Sequence, residues 1–134
     1  MKYTLGKSEK LKSRKQIDQL FKARKFVTQS PIRLFYELHM NKASTTPVQV
    51  GFSCSKKFFK QATRRNRVKR LLREAYRKQK APLWALCDEY GCSLSLFWLY
   101  GHKELPTLQE IEQKVDKLVV FLTEKLQKQL AVKE

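Results

Sequence analysis

The hydrophobic positions of this chain change period several times, and each change marks an element. After Pro31 they alternate. Ile32, Leu34, Tyr36 and Leu38 fall on one side and Arg33, Phe35, Glu37 and His39 on the other, which predicts a half-buried strand over 32–40. Alternation returns over 48–55, where Val48, Val50, Phe52 and Cys54 oppose Gln49, Gly51, Ser53 and Ser55. Small residues on that second side keep it open for something laid across it. The run SLSLFWLY over 93–100 is a third strand, apolar enough to be central. Helical spacing governs the rest. Ile17, Leu20 and Phe21 predict a short amphipathic helix from about 14 to 24, behind a Ser13–Gln16 capping box. Val68, Leu71, Leu72, Ala75 and Tyr76 stand at i, i+3, i+4, i+7 and i+8, a helix over 65–77 with Thr63 as one possible N-cap. Leu108, Ile111, Val115, Leu118, Val119, Leu122 and Leu126 sustain a long terminal helix behind a second capping box, Thr107 with Glu110. Its stripe could be a dimer seam, but a core-facing helix is the commoner explanation. Residues 41–47 read as a turn, 81–92 as a less regular connection and 1–12 as a loose basic arm. The sum is an α+β fold, one sheet with helices, in a single domain over 1–134.

Charge turns this scaffold into a surface. Residues 56–80 hold twelve Lys or Arg against one acid, Glu74. On the helix, Asn66, Lys69, Arg70, Arg73 and Arg77 gather opposite the apolar stripe, within an arc of about 100°. Arg65 and Arg67 flank them. Neighbouring cations at helical spacing repel by a few tenths of a kcal/mol per pair, so such a face makes sense under a polyanion. The imbalance is regional. Residues 1–80 carry 23 basic and 4 acidic side chains, whereas residues 81–134 carry 6 and 8, which together give the net +17. A basic first part on a near-neutral second part suits a phosphate-binding surface on a scaffold.

Candidate chemistry is sparse. His39 and His102 stand in no motif, the acids of the basic part are dispersed, and no Gly-rich phosphate loop, nucleophile elbow or metal-ligand cluster is present in the sequence. Cys54, Cys87 and Cys92 are odd in number and unpaired in spacing, which argues against a disulfide framework. Cys54, alternating with apolar residues, reads as a small buried hydrophobe. No secretory h-region and no membrane-spanning run is visible, so a reducing cytoplasm and no membrane partner are expected. Asn66 is either a neutral filler or a hydrogen-bonding group for a nucleotide. Phe35, beside Arg33 and opposite the apolar side of its strand, is a candidate base-stacking platform on an open sheet face.

The run CSKKFFKQATRRNRVKRLLREAYR resembles the signature of the protein subunit of bacterial ribonuclease P. That family ends a strand with G-x-S-x-S-K-K and opens the next helix with R-N-R-x-K-R-x-x-R-E. Gly51, Ser53, Ser55, Lys56 and Lys57 match the first, and Arg65, Asn66, Arg67, Lys69, Arg70, Arg73 and Glu74 the second. Upstream, Leu11, Lys12 and Phe21 fit the family's R-L-K-x-x-x-x-F-x-x-x-F start, with Ile17 where an aromatic is usual. The likeness covers about residues 10–80; beyond, only the order of strand and helix agrees. Phe58-Phe59 stands where many members carry Gly, with one residue more before Arg65.

The resemblance implies a mixed sheet with a left-handed β-α-β crossover, against the right-handed norm. It implies an RNA subunit that is the catalyst, holds Mg²⁺ and cuts precursor tRNA to its mature 5′ end. The protein, one copy per complex, binds that RNA and holds the 5′ leader between the first helix and the open sheet face. Carried over by motif, Lys56, Lys57, Arg65, Asn66, Arg67, Lys69, Arg70 and Arg73 are the RNA-binding set, and Ile17, Phe21, Phe35 and Ser53 the leader cleft. No catalytic residue and no protein metal site is expected. The alternatives are another tRNA- or ribosome-associated RNA-binding module, or a small nuclease acting alone.

Overall fold

The architecture is that of a computed structural model of the chain, which describes residues 9–40 and 46–133. Its elements are α1 (Arg14–Ala23), β1 (Phe26–Gln29), β2 (Ile32–His39), β3 (Val48–Cys54), α2 (Ala62–Gln79), α3 (Ala81–Tyr90), β4 (Ser93–Tyr100) and α4 (Leu108–Lys133). The strands form one mixed sheet in the order β1-β2-β4-β3. β1–β2 and β2–β4 are antiparallel, whereas β3 and β4 run parallel and are joined by the crossover through α2 and α3.

The alternation read in β2 and β3 sorts their side chains as expected, and β4 lies between them as the central strand expected of its apolar run. Ile32, Leu34, Val48, Val50, Leu94, Leu96 and Trp98 point into one core, closed from above by Val68, Leu72 and Tyr76 of α2 and by Ile111, Val115, Leu122 and Leu126 of α4. The terminal helix therefore faces the core and is not a free seam. Cys54, Cys87 and Cys92 are buried and form no disulfide. The opposite sheet face carries a second, smaller core, made where α1 lies across it.

Both expected caps exist in part: Ser13 Oγ accepts from Gln16 N–H at 3.3 Å, and Thr107 Oγ1 from Glu110 N–H at 3.2 Å. Thr63 does not cap α2. The helix starts at Ala62, Gln61 stands at the N-cap without a side-chain bond, and Thr63 lies inside the first turn.

Two expectations change and one strand is added. Most of the stretch 81–92 is helix, not irregular connection: α3 runs from Ala81 to Tyr90, Pro82 sits in its first turn and Gly91 closes it in the left-handed region at φ 64°. A short edge strand, β1, precedes Pro31. Residues 9–12, expected in a loose arm, are docked. Lys10 forms a parallel bridge with Val50, and Leu11 N–H donates to Val50 C=O at 2.9 Å along the outer edge of β3. Glu9 and Lys80 form a buried ion pair at 2.7 Å, with Lys80 only 1% exposed. The arm's first eight residues, and most of the expected 41–47 turn, lie outside the described residues.

Candidate nucleic-acid interface

The outer face of α2 follows from its inner one. Burying Val68, Leu72, Ala75 and Tyr76 turns Arg64, Asn66, Arg67, Arg70 and Arg73 outward, with Lys69 half-buried beside them. Among the described residues no carboxylate forms an ion pair with Arg64, Arg67, Lys69, Arg70 or Arg73. The C-terminal end of the same helix differs. Arg77, expected on the cationic face, holds Glu74 (Nε to Oε2, 3.2 Å), and Lys78 reaches Glu112 at 3.0 Å. The Arg77 guanidinium bonded to Glu74 holds that carboxyl below its ordinary range. Lys80 is internal. Of the basic run, then, the N-terminal half faces outward while the C-terminal half is largely neutralised by the protein itself. Arg64 and Arg65 stand in the first turn of this helix, and that turn holds no acid. The macrodipole disfavours that by some 0.3–1 kcal/mol per charge, and a bound anion relieves it.

Arg65 has a different task from its neighbours. Its Nη1 donates to Phe59 C=O at 2.7 Å and Lys60 C=O at 2.8 Å, fixing the turn between β3 and α2. The same turn is closed by Phe58 and Phe59 N–H, both donating to Ser55 C=O, and by Lys57 N–H donating to Ser55 Oγ at 3.3 Å. Lys56 and Lys57 are exposed on it. Arg73 lies over the Phe52 ring at 5.8 Å. The docked N-terminal segment adds Lys10 and Lys12 around a shallow cavity of about 220 Å³ that Arg73 and Phe52 also line. Reading 1–12 as loose missed these two cations as part of the surface.

The sheet face under α1 is organised in rows. Strand register aligns Phe26, Phe35, Phe97 and Gly51 across all four strands. Phe21 packs edge-on against Phe35 at 4.7 Å and against Phe97 at 5.2 Å, and Leu20 and Leu11 complete the cluster. This corrects the open-face expectation in two places. Phe35 is 6% exposed, because α1 covers it. Gly51 makes room for a neighbour, not for a ligand: a Cβ there would lie 2.7 Å from Phe97 Cδ2. Phe97 itself was missed, although alternation within SLSLFWLY places it opposite Leu96 and Trp98.

Ile17, Phe21 and Ser53 remain partly exposed around the covered row. To one side lies the row Thr28, Arg33, Leu99 and Ser53. To the other lie Glu37, Ser95 and Gln49, with a groove of about 590 Å³ lined by Gln16, His39, Gln49 and Ser95. His39 is a half-buried strand-end residue whose Nε2 meets Ser95 Oγ at 3.2 Å and Glu37 at 3.6 Å. His102 Nδ1 accepts from Glu104 N–H in an exposed turn. Among the described residues no group of three His, Cys, Asp or Glu could hold a metal ion. No helix among them is long and apolar enough to cross a membrane.

The family profile of ribonuclease P matches residues 5–122. The ribonuclease P protein component of Chlorobium phaeobacteroides is 37% identical over 125 residues, covering 87% of this chain and 86% of its own. That of Porphyromonas gingivalis is 34% identical over 119 residues, covering 88% and 85%. The solved RNase P protein of Staphylococcus aureus superimposes with a TM-score of 0.66 at 17% identity, over 87% of this chain and 96% of its own. That of Thermotoga maritima gives 0.61 at 21% identity, over 83% and 96%. Sequence and fold agree that this chain belongs to the ribonuclease P protein family.

Proposed function

We propose that this chain is the RNA-binding subunit of a ribonuclease P holoenzyme and assists an RNA catalyst in removing the 5′ leader of precursor tRNA. The observation that carries this is the junction of two surfaces. The N-terminal half of the cationic face of α2, where Arg64, Arg67, Lys69, Arg70 and Arg73 form no ion pair with a carboxylate among the described residues, follows the turn after β3 and stands beside a sheet face with an aromatic row under α1. Two RNA strands brought to one site repel each other. A basic body between them lowers that repulsion by neutralising phosphates and releasing counterions.

Arg67, Lys69, Arg70 and Arg73, with Asn66, take the phosphates and sugars of the RNA subunit, and Lys56 and Lys57 stand at the junction. Arg65 contributes by holding the turn that presents them. Ile17, Phe21 and Ser53 border the leader, and Phe35 holds α1 in place over the sheet. Catalysis and Mg²⁺ belong to the RNA partner and its substrate, and one protein copy serves each complex, in the cytoplasm.

Reconstitution tests this. The purified chain alone should leave precursor tRNA intact, and with its RNA subunit it should restore 5′ maturation at Mg²⁺ concentrations where the RNA alone is slow. Cleavage by the protein alone would make it a free-standing nuclease. Tight RNA binding without any stimulation would make it a general tRNA- or ribosome-associated module.

A further inference from the structure

With Phe35 covered, two exposed rings with cations beside them stand elsewhere on the molecule. Phe26 and Phe58 are 39% and 40% exposed, and each has a cation over it. Arg33 stands 5.4 Å from the Phe26 centroid and Lys57 5.7 Å from that of Phe58. Between the β1–β2 turn and the turn after β3 lies a groove of about 470 Å³. Thr28, Ser30, Arg33, Ser55, Phe58 and Leu99 line it. That size falls in the ~300–1,000 Å³ range of clefts that hold small organic groups. No acid lines it, so its charge complements an anion.

Phe58 is held there. Its neighbour Phe59 is buried against Tyr100, its own N–H bonds Ser55 C=O, and Arg65 pins the carbonyls that follow. An exposed aromatic on a fixed turn loses little freedom on stacking, which is how a binding platform differs from a loose side chain.

We infer that this groove is a nucleotide subsite for single-stranded RNA, in which Phe58 stacks on one base while Arg33 and Lys57 hold the adjoining phosphates. The inference rests on the proposed function and extends it, since the occupant would be a nucleotide of the 5′ leader. The subsite lies one residue row, about 7 Å along the strands, beyond the row that α1 covers. It also lies at the end of the sheet where β3 passes to α2, so it would connect the sheet face with the cationic helix.

The test uses the holoenzyme reconstituted with its RNA subunit, and compares precursor tRNA with mature tRNA. Phe58→Ala should weaken precursor about ten-fold and leave mature tRNA unchanged. Phe58→Trp should keep the affinity, and Phe58→Leu, which keeps apolar bulk but not the ring, should lose it. In an abasic walk along the leader, one position should reproduce the loss in the wild type and cost nothing further in Phe58→Ala. Arg33→Gln should lower the salt slope by about one, which Phe58→Ala should not. Unchanged precursor affinity in Phe58→Ala, or equal losses on both tRNAs, overturns the subsite while leaving the proposed function standing. A wild-type assembly that binds both tRNAs equally overturns the proposed function and this inference together.

Discussion

Glu9→Gln removes the charge from one half of the ion pair that ties the N-terminal segment to the α2–α3 junction. Glu9 Oε1 and Lys80 Nζ are 2.7 Å apart, 71 residues apart in sequence, and their side chains are 6% and 1% exposed. Lys80 also stands over the Trp84 ring at 5.1 Å. The substitution leaves an ammonium in the interior without the carboxylate beside it. Removing one partner of a buried pair costs about 3–5 kcal/mol. At roughly 3–4 °C per kcal/mol for a chain of this length, the melting temperature should fall by about 10–20 °C. The damage should begin locally. The Leu11 amide, bonded to Val50 C=O at 2.9 Å, should lose its protection against hydrogen exchange before the central strands do. Pairing Glu9→Gln with Lys80→Met should recover most of the loss, because no buried charge is then left over. If Glu9→Gln melts within about 2 °C of the wild type and Leu11 stays protected, the pair does not hold the segment and this account of it is wrong.

What could be read from the sequence was whatever is written in local contrast. The stripe of α2 was legible because one side of that helix is apolar and the other charged, and Val68, Leu72, Ala75 and Tyr76 are indeed buried. α3 lacks that contrast. It packs against both α4 and β3, so Leu83, Leu86 and Cys87 are buried with no clean polar face to mark the period. Its punctuation was there to be read, Pro82 at the start and Gly91 at the end. β1, four residues long, is too short for alternation to show. Other features are tertiary in origin. Alternation assigned Phe35 to its face correctly, but nothing local says that α1 lies over that face. Lys80 closes a run of solvated cations in the sequence and is nevertheless buried, because Glu9, far off in the chain, meets it there. The candidate site divides the same way: its cations were legible, while the split between Arg70, facing out, and Arg77, held by Glu74, depended on contacts.

Opposite sides of α2 should answer differently to mutation. Leu72→Ala should cost about 2–5 kcal/mol in thermal melts, and Arg70→Ala should move stability by no more than about 0.5 kcal/mol while weakening assembly with the RNA subunit; the reverse order would invert the helix. Binding to that RNA should fall with log salt at a slope of about −4 to −7 if six to eight phosphates are neutralised, and a slope near zero would remove the electrostatic account. Phe35 separates packing from stacking. Its ring meets Phe21 at 4.7 Å and is 6% exposed, so Phe35→Ala should cost about 3–5 kcal/mol and loosen α1. Phe35→Leu keeps most of the volume, and should keep both the fold and the affinity for precursor tRNA. A Phe35→Leu holoenzyme that melts like the wild type, yet loses about ten-fold on precursor and nothing on mature tRNA, would show that this ring stacks on the leader itself; α1 would then have to part from the sheet to admit it.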